Sequence, residues 1–316
     1  MKTGLVDWFG GVTRQRPLAR IAAQVLCLAL VITLPMPAAA QDFAKIEFRT
    51  TRLSDTVHLL QGAGGNILLS AGDDAVFLID DDYAPMTAKL KDAIGRITRK
   101  PVNFVLNTHW HFDHVGGNET LAREGVLVVA HDNARKRMSS EQFIALFQAK
   151  VPASPRGALP IVTFGGDISF HINGETIHAF HAPAAHTDGD TIVHLRGSDL
   201  IHMGDIFFNG TYPFIDASSG GTTDGVVAAM DRVLALATDR TRIIPGHGPI
   251  ASKADLQRHR DLIATVSQRI KDLRQAGRSD AEIKAARPAA EFDADFGRGF
   301  IRGDRFIDMM LGVIPK

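Results

Sequence analysis

The chain has 316 residues, 45% of them hydrophobic, which is enough apolar material for a full globular core. Its 35 basic and 35 acidic residues balance, and neither nucleic acid nor an anionic membrane is indicated as a partner. The single cysteine, Cys27, excludes a disulfide framework.

Residues 1–40 have the features of a cleavable signal peptide. Basic residues up to Arg20 precede an uncharged apolar run at residues 21–34, which is short for a membrane-spanning helix. Ala38-Ala39-Ala40 then matches the small-residue pattern of a cleavage site. We therefore predict a periplasmic or secreted protein with no membrane contact beyond this segment. An uncleaved anchor is the alternative.

The rest of the chain, residues 41–316, alternates predicted strands and helices in two halves. Strands are predicted at 58–60, 66–71, 75–79, 102–106, 126–130, 161–164, 168–172, 176–182, 191–195, 200–203 and 241–245. Helices are predicted at 85–97, 225–237 and 254–286, with a lead-in at 41–55, a surface excursion at 139–160 and a less regular tail. Because no composition break divides this region, we predict one α/β domain of two packed sheets with helices outside.

A cluster of histidines follows the predicted strand at 102–106. His109, His111, Asp113 and His114 place three imidazoles and a carboxylate within six residues. These groups are the ligands that zinc and neighbouring transition metals prefer. A polar loop with structural histidines is the alternative, and it is disfavoured because further candidate ligands follow other strands.

Three more candidate ligands, His186, Asp205 and His247, each come just after a predicted strand. Strand ends can meet at one edge of the sheets, so seven side chains could converge there. One metal could be held by His109, His111 and His186. The second could be held by Asp113, His114 and His247, with Asp205 bridging the two.

This pattern resembles the metallo-β-lactamase superfamily over roughly residues 57–263. The resemblance rests on Asp80 after an early strand, H-x-H-x-D-H at 109–114, His186, Asp205 and Gly-His-Gly at 246–248. It implies a four-layer αβ/βα sandwich of two mixed β-sheets, with a dinuclear zinc site at one edge. It also implies that Asp80 supports the metal loop by hydrogen bonds; a simple turn residue is the alternative.

The chemistry expected of such a site is hydrolysis of a small molecule. Two Zn²⁺ ions sharing a water lower its pKa toward neutrality, and the resulting hydroxide could attack a carbonyl carbon. Asp113 could orient that hydroxide and pass a proton as the catalytic residue. An exported enzyme suits a cyclic amide or ester, β-lactam or lactone. Thioester and phosphoester hydrolysis are alternatives, and so are an iron-dependent oxidoreductase and a non-catalytic metal-binding protein.

Two features separate this chain from the lactamase branch whose second metal has a cysteine ligand. Asp205 stands at the position of that cysteine, and Phe208 stands where a lysine would hold the antibiotic carboxylate. A bridging aspartate is instead typical of thioesterases, lactonases and many phosphoesterases. Tyr212 resembles a tyrosine that some lactonases direct at the carbonyl oxygen, and Asn209 lies in the same loop. Both are predicted to contact substrate, with loop packing as the alternative for Tyr212.

Overall fold

Two β-sheets organise residues 42–315, the part of the chain that the computed structural model describes. The predicted signal peptide, residues 1–40, lies outside these residues. The strands are β1 (Arg49–Arg52), β2 (Val57–Gln61), β3 (Ile67–Ala71), β4 (Val76–Ile79), β5 (Phe104–Leu106), β6 (Leu127–His131), β7 (Gln142–Ile144), β8 (Ala149–Val151), β9 (Val162–Phe164), β10 (Asp167–Ile172), β11 (Glu175–Ala182), β12 (Asp190–Leu195), β13 (Leu200–His202) and β14 (Arg242–Ile244).

Helices flank these strands. They are α1 (Thr87–Gly95), α2 (Phe112–Val115), α3 (Asn118–Arg123), α4 (Asp132–Met138), α5 (Thr223–Leu236), α6 (Lys253–Gln275), α7 (Asp280–Ala285), α8 (Asp293–Phe296) and α9 (Gly303–Val313). Across residues 42–315, no helix combines the length and apolar content that spanning a membrane requires.

Both sheets are mixed. The larger sheet has the order β1-β2-β3-β4-β5-β6-β9, antiparallel from β1 to β4 and parallel from β4 to β9. The smaller sheet has the order β10-β11-β12-β13-β14, and its only parallel pair is β13 with β14. β7 and β8 form a separate hairpin within the predicted surface excursion.

The alternation of side chains along β4 shows how the layers pack. Val76 and Leu78 join a core with Leu90 of α1, whereas Phe77 and Ile79 join a second core with residues of the smaller sheet. Successive side chains of a strand point to opposite faces, so β4 is buried on both sides. The larger sheet therefore lies between a helical layer and the smaller sheet.

The outer face of the smaller sheet is covered by helices from the second half of the chain. Ile192 and Ile201 share a third core with Val233 of α5, Leu262 of α6 and Met310 of α9. The order of layers is helix, sheet, sheet, helix. The predicted four-layer αβ/βα sandwich of two mixed sheets is confirmed.

Two segments are more regular than the sequence indicated. The lead-in contains β1, whose largely exposed Arg-Thr-Thr-Arg sequence has no apolar alternation because it forms the edge of the larger sheet. The tail contains α8 and α9, and α9 buries Phe306 and Met310. This segment is stabilised as a helix because its apolar face packs against a core.

His259 on α6 is a buried histidine away from the predicted site. Its ring packs between Phe207 and Phe296, with ring centroids 5.1 and 5.7 Å away. Neither ring nitrogen has a hydrogen-bond partner in residues 42–315. Burial lowers the pKa of His259 to about 3. The folded state therefore holds this imidazole neutral.

We expect His259 to make folding stability depend on pH. The pKa of His259 is lower in the folded state than in the unfolded chain. Its contribution to stability is therefore complete above about pH 6.5. Below that pH the contribution decreases, because the unfolded chain takes up a proton on this histidine and the folded protein does not. When the pH falls from 7.5 to 5.0, the unfolding free energy of the wild type should decrease by roughly 2 kcal/mol more than that of His259→Leu. Guanidinium denaturation at both pH values measures this.

The exposed His171 provides the control for this measurement. His171→Leu should leave the difference between the two pH values unchanged. An equal pH dependence in the wild type and in His259→Leu would show that the buried imidazole is not the cause.

Candidate metal centre

The seven predicted ligands come together in two adjoining groups. Within each group the potential ligand atoms all lie within 4.8 Å of one another. The first group is His109, His111, His186 and Asp205, and the second is Asp113, His114 and His247. β5, β11, β13 and β14 each end shortly before one or more of these residues. The six other residues divide as the sequence predicts, and Asp205, predicted to bridge the two metals, falls in the first group.

Three imidazole nitrogens face one another in the first group. His111 Nδ1 lies 3.1 Å from His109 Nε2 and 2.9 Å from His186 Nε2. The opposite nitrogens are already used: His111 Nε2 donates to Asp216 and His186 Nδ1 donates to the carbonyl oxygen of Phe214. The hydrogen-bond network therefore assigns lone pairs, not protons, to the facing nitrogens of His111 and His186.

His109 is oriented in the same way. Thr108 Oγ1 donates its proton to Asp80 Oδ2, so the Thr108 oxygen can accept a hydrogen bond from His109 Nδ1–H at 3.1 Å. His109 Nε2 then also presents a lone pair. Lone pairs this close repel one another unless a cation lies among them, so the first group fits a metal ion.

Burial keeps His109 and His186 in the form that binds metal. It lowers the pKa of His186 to about 4, with His111 adding to the effect. It also lowers the pKa of His109 well below the usual value. Neutral imidazole is the ligating form, and no proton has to leave His109 or His186 at neutral pH.

The second group has the opposite electrostatics. Burial opposes a charge on His247, but Asp205 and Asp113 outweigh it and raise the pKa of His247 to about 10. Burial is similarly outweighed at His114, whose pKa is raised chiefly by Asp205 and Asp113. Without a metal, the carboxylates of Asp205 and Asp113 favour protonation of the two histidines. A bound divalent cation would supply the positive charge in place of these protons.

Asp205 contacts both groups, one with each oxygen. Its Oδ1 lies 3.1 Å from His114 Nε2 and 3.4 Å from His247 Nε2. Its Oδ2 lies 3.9 Å from His109 Nε2 and 3.8 Å from His186 Nε2. Oδ1 is buried yet makes no hydrogen bond of acceptable geometry to any described residue. An oxygen in that state is suited to metal coordination.

Asp80 is fully buried beside the ligand loop. Its Oδ1 accepts a 2.7 Å hydrogen bond from the backbone N–H of Thr108, and its Oδ2 accepts one from His114 Nδ1 at 2.8 Å. The carboxylate thereby directs His114 Nε2 toward the second group. These contacts agree with the role that the resemblance implied for Asp80, which is to support the metal loop by hydrogen bonds.

Two glycines allow the ligands to approach the surrounding backbone. A Cβ on Gly65 would lie 2.2 Å from the ring of His114, and one on Gly246 would lie 2.0 Å from Asp205 Oδ1. Any side chain at either position would displace a ligand. The glycine-rich turn at residues 62–65 therefore lies against the centre.

Asp216 is a functional residue that the sequence pattern did not identify. It is buried, accepts from His111 Nε2 at 3.1 Å and accepts from Ser219 Oγ at 2.6 Å. Burial opposes its ionisation, but His111 outweighs this and lowers the pKa of Asp216 to about 2. No ligand-like spacing marks this residue, because it acts on a histidine more than one hundred positions away.

The two predicted substrate contacts have different surroundings. Tyr212 is fully buried, and its hydroxyl donates to Asp293 Oδ1 at 2.8 Å and to the carbonyl oxygen of Ala289 at 3.2 Å. Its ring stacks on Phe306. These contacts support the packing alternative. The backbone N–H of Asn209 donates to the carbonyl oxygen of His247. Contact between Asn209 and substrate stays a prediction.

Comparison with known proteins agrees with this geometry. The model of the Metallo-beta-lactamase superfamily matches residues 52–247, more than half of the chain. A probable metallo-hydrolase of Bacillus subtilis, YqgX, is 25% identical over 186 residues, which cover 56% of this chain and 85% of that protein.

Two solved structures have a similar fold. One is a metallo-beta-lactamase from Pontibacter korlensis, with a TM-score of 0.56 and 21% identity over 69% of this chain and 99% of that one. The other is a double mutant of the sec-alkyl sulfatase PisA1, with a TM-score of 0.61 and 16% identity over 84% of this chain and 49% of that one. At these identities the similarity establishes the fold alone.

Proposed function

The chain belongs to the metallo-beta-lactamase superfamily of metal-dependent hydrolases, and from this premise we propose an exported dinuclear zinc hydrolase that opens a cyclic amide or ester. A β-lactam or a lactone is the substrate class. Export rests on the signal-like sequence of residues 1–40.

The observation that carries the proposal is the position of Asp205 between the two groups. A carboxylate with one oxygen toward each group suits a pair of metal ions better than a single ion. Imidazole nitrogens and carboxylate oxygens without any thiolate are compatible with zinc. Bound zinc supplies Lewis acidity toward a carbonyl oxygen and lowers the pKa of water toward neutrality.

Asp113 and His247 are the ligands that substrate can reach. Their side chains are 15% and 30% exposed, whereas the side chain of Asp205 is 5% exposed. Asp113 Oδ2 contacts His247 Nε2 at 3.2 Å, and its backbone oxygen accepts from Gly65. The carboxylate is thus fixed at the open side of the centre. There the carboxylate can take a proton from the water that attacks the carbonyl carbon and pass it to the leaving group.

The side chain of Phe208 supports a substrate that has no anionic group at this position. Phe208 is buried and stacks on His247, with a centroid distance of 5.2 Å and an interplanar angle of 14°. An apolar ring cannot hold a carboxylate as a lysine would. This favours a neutral lactone over an anionic antibiotic as the preferred member of the proposed class.

Metal removal is the direct test of the proposal. Protein beginning at Gln41, loaded with zinc, should contain about two zinc ions per chain and hydrolyse members of a panel of lactones and β-lactams. Exhaustive chelation should abolish turnover, and added zinc should restore it. His111→Ala should lose turnover and zinc together, because His111 supplies a nitrogen at the middle of the first group.

Thioesters and phosphodiesters in the same panel test the alternative hydrolases. A coloured iron centre, or turnover that survives chelation to undetectable metal, would contradict the proposed zinc chemistry.

A further inference from the structure

Four phenylalanines form a continuous wall beside the metal centre. We define the phenylalanine wall as Phe147, Phe208, Phe214 and Phe300. Phe147 contacts Phe214 and Phe300, with ring centroids 5.3 and 6.4 Å away, and Phe300 contacts Phe208 at 6.3 Å. The rings come from three separate parts of the chain, so the fold alone brings them together.

The inner pair of the wall lies against the ligands. Phe208 stacks on His247, and Phe214 lies nearly parallel to His111 with ring centroids 5.7 Å apart. Both rings also approach His186, at 6.3 and 5.3 Å. The apolar surface is thus continuous with the imidazoles that hold the metals.

The outer pair of the wall is open to solvent. Phe147 is 40% exposed and Phe300 is 54% exposed, whereas Phe208 and Phe214 are buried. Exposed aromatic surface contributes little to folding, because the hydrophobic effect requires its removal from water. Two such rings next to a catalytic centre are better explained by binding than by stability.

Polar contacts hold the outer rings in position. Arg305 donates to the carbonyl oxygen of Leu146 at 3.0 Å and places its guanidinium 5.6 Å from the ring centroid of Phe147. Ala145 N–H donates to Ser218 Oγ at 3.0 Å. The segment that carries Phe147 is therefore attached both to the last helix and to the loop after Asp216.

The segment that carries Phe300 is attached through Tyr212 and a buried neighbour. The hydroxyl of Tyr212 donates to Asp293, and its backbone N–H donates to the carbonyl oxygen of Phe296. Ile301 is fully buried. Phe300 lies beyond residues 52–247, so membership of the superfamily does not explain its position.

We propose that the phenylalanine wall binds an aromatic or branched apolar group of the substrate next to the bond that is cleaved. This specificity rests on the proposed function, since it refers to the same centre. The occupant is part of a small molecule, because the wall runs directly into the ligand imidazoles. Phe147 and Phe300 are the specificity-determining residues.

Two lactones that differ only by a phenyl group provide the test. The zinc-loaded enzyme should show a kcat/KM roughly tenfold or more higher for N-phenylacetyl homoserine lactone than for N-acetyl homoserine lactone. Phe147→Ala and Phe300→Ala should each reduce this ratio several-fold, and the double variant should bring it close to one. Phe143→Ala is the matched control, because Phe143 is 45% exposed on the same excursion and has no ring contact with the wall in the described residues.

Binding of the ring-opened acids separates this inference from the proposed function. Calorimetry with N-phenylacetyl homoserine and N-acetyl homoserine needs no turnover. Tighter binding of the phenyl compound that is lost in the double variant supports the wall even if neither lactone is hydrolysed.

Three outcomes would overturn the inference. The first is lactone hydrolysis with a ratio that Phe147→Ala and Phe300→Ala leave unchanged, which would leave the proposed hydrolysis intact. The second is failure to bind either acid. The third is self-association of the wild type that the double variant abolishes while the ratio stays the same, since the wall would then bind a second copy of the chain.

Discussion

Asp205→Asn is expected to reduce bound zinc from about two ions to about one per chain and to lower kcat/KM by at least roughly a thousandfold. The amide keeps the size of the carboxylate, but its nitrogen has no lone pair to donate. Only one of the two groups can then keep an oxygen from this residue. Metal analysis after dialysis, together with hydrolysis of the best panel substrate, measures both effects.

Asp216→Asn is the matched control. Asp216 is also buried and also contacts a ligand histidine, but it does so through His111 Nε2, the nitrogen that faces away from the metal centre. An asparagine oxygen can still accept that hydrogen bond, so both zinc ions should remain. Two zinc ions and nearly full activity in Asp205→Asn would show that Asp205 does not connect the two groups.

Asp80→Asn is expected to weaken zinc binding by about 10- to 100-fold and to lower the free energy of unfolding of the metal-free protein by about 2–4 kcal/mol. Asp80 accepts hydrogen bonds from Thr108 and from His114, and one of its oxygens becomes an N–H₂ donor in the variant. Asparagine tolerates the φ of 64° at this position, so the change tests the hydrogen bonds and not the backbone.

Asp82→Asn separates metal positioning from general destabilisation. Asp82 has the same φ of 64° and is also buried, but its carboxylate accepts from the backbone N–H groups of Ala63, Gly64 and Tyr83. It should lower stability without a comparable loss of zinc affinity. Denaturation in chelator and competition with a fluorescent chelator report the two quantities. Equal losses of zinc affinity in both variants would show that Asp80 has no specific role in positioning the metal ligands.

The convergence of the candidate metal ligands could be predicted from sequence because ligand chemistry restricts residue type and spacing. His109 and His111 share a short loop, and His186, Asp205 and His247 each follow a strand, so their convergence needed only the pairing of strands. The predicted strand at 75–79 is an unbroken apolar run, and in the structure β4 is buried on both faces. In these places the local pattern and the tertiary structure impose the same requirement.

The supporting residues could not be predicted in this way. Asp216 and Asn66 are polar side chains in loops, and their partners lie far away in sequence: Asn66 donates to the carbonyl oxygens of Pro245 and Gly248. Nothing in the neighbouring residues distinguishes such a group from a surface residue. Tyr212 illustrates the reverse case. Its resemblance to a lactonase tyrosine suggested substrate contact, but its hydroxyl lies against the C-terminal segment, as the packing alternative implies.

The attachment of the C-terminal segment through Tyr212 has a consequence for how this enzyme could diversify. Residues 290–315 contribute Phe300 to the mouth of the centre but supply none of the seven ligands. Mutations there do not change the side chains that would bind metal, whereas mutations in the ligand loops can. Selection for a new substrate could therefore act on the tail first, and relatives with identical metal sites could come to accept different molecules through their last helices alone.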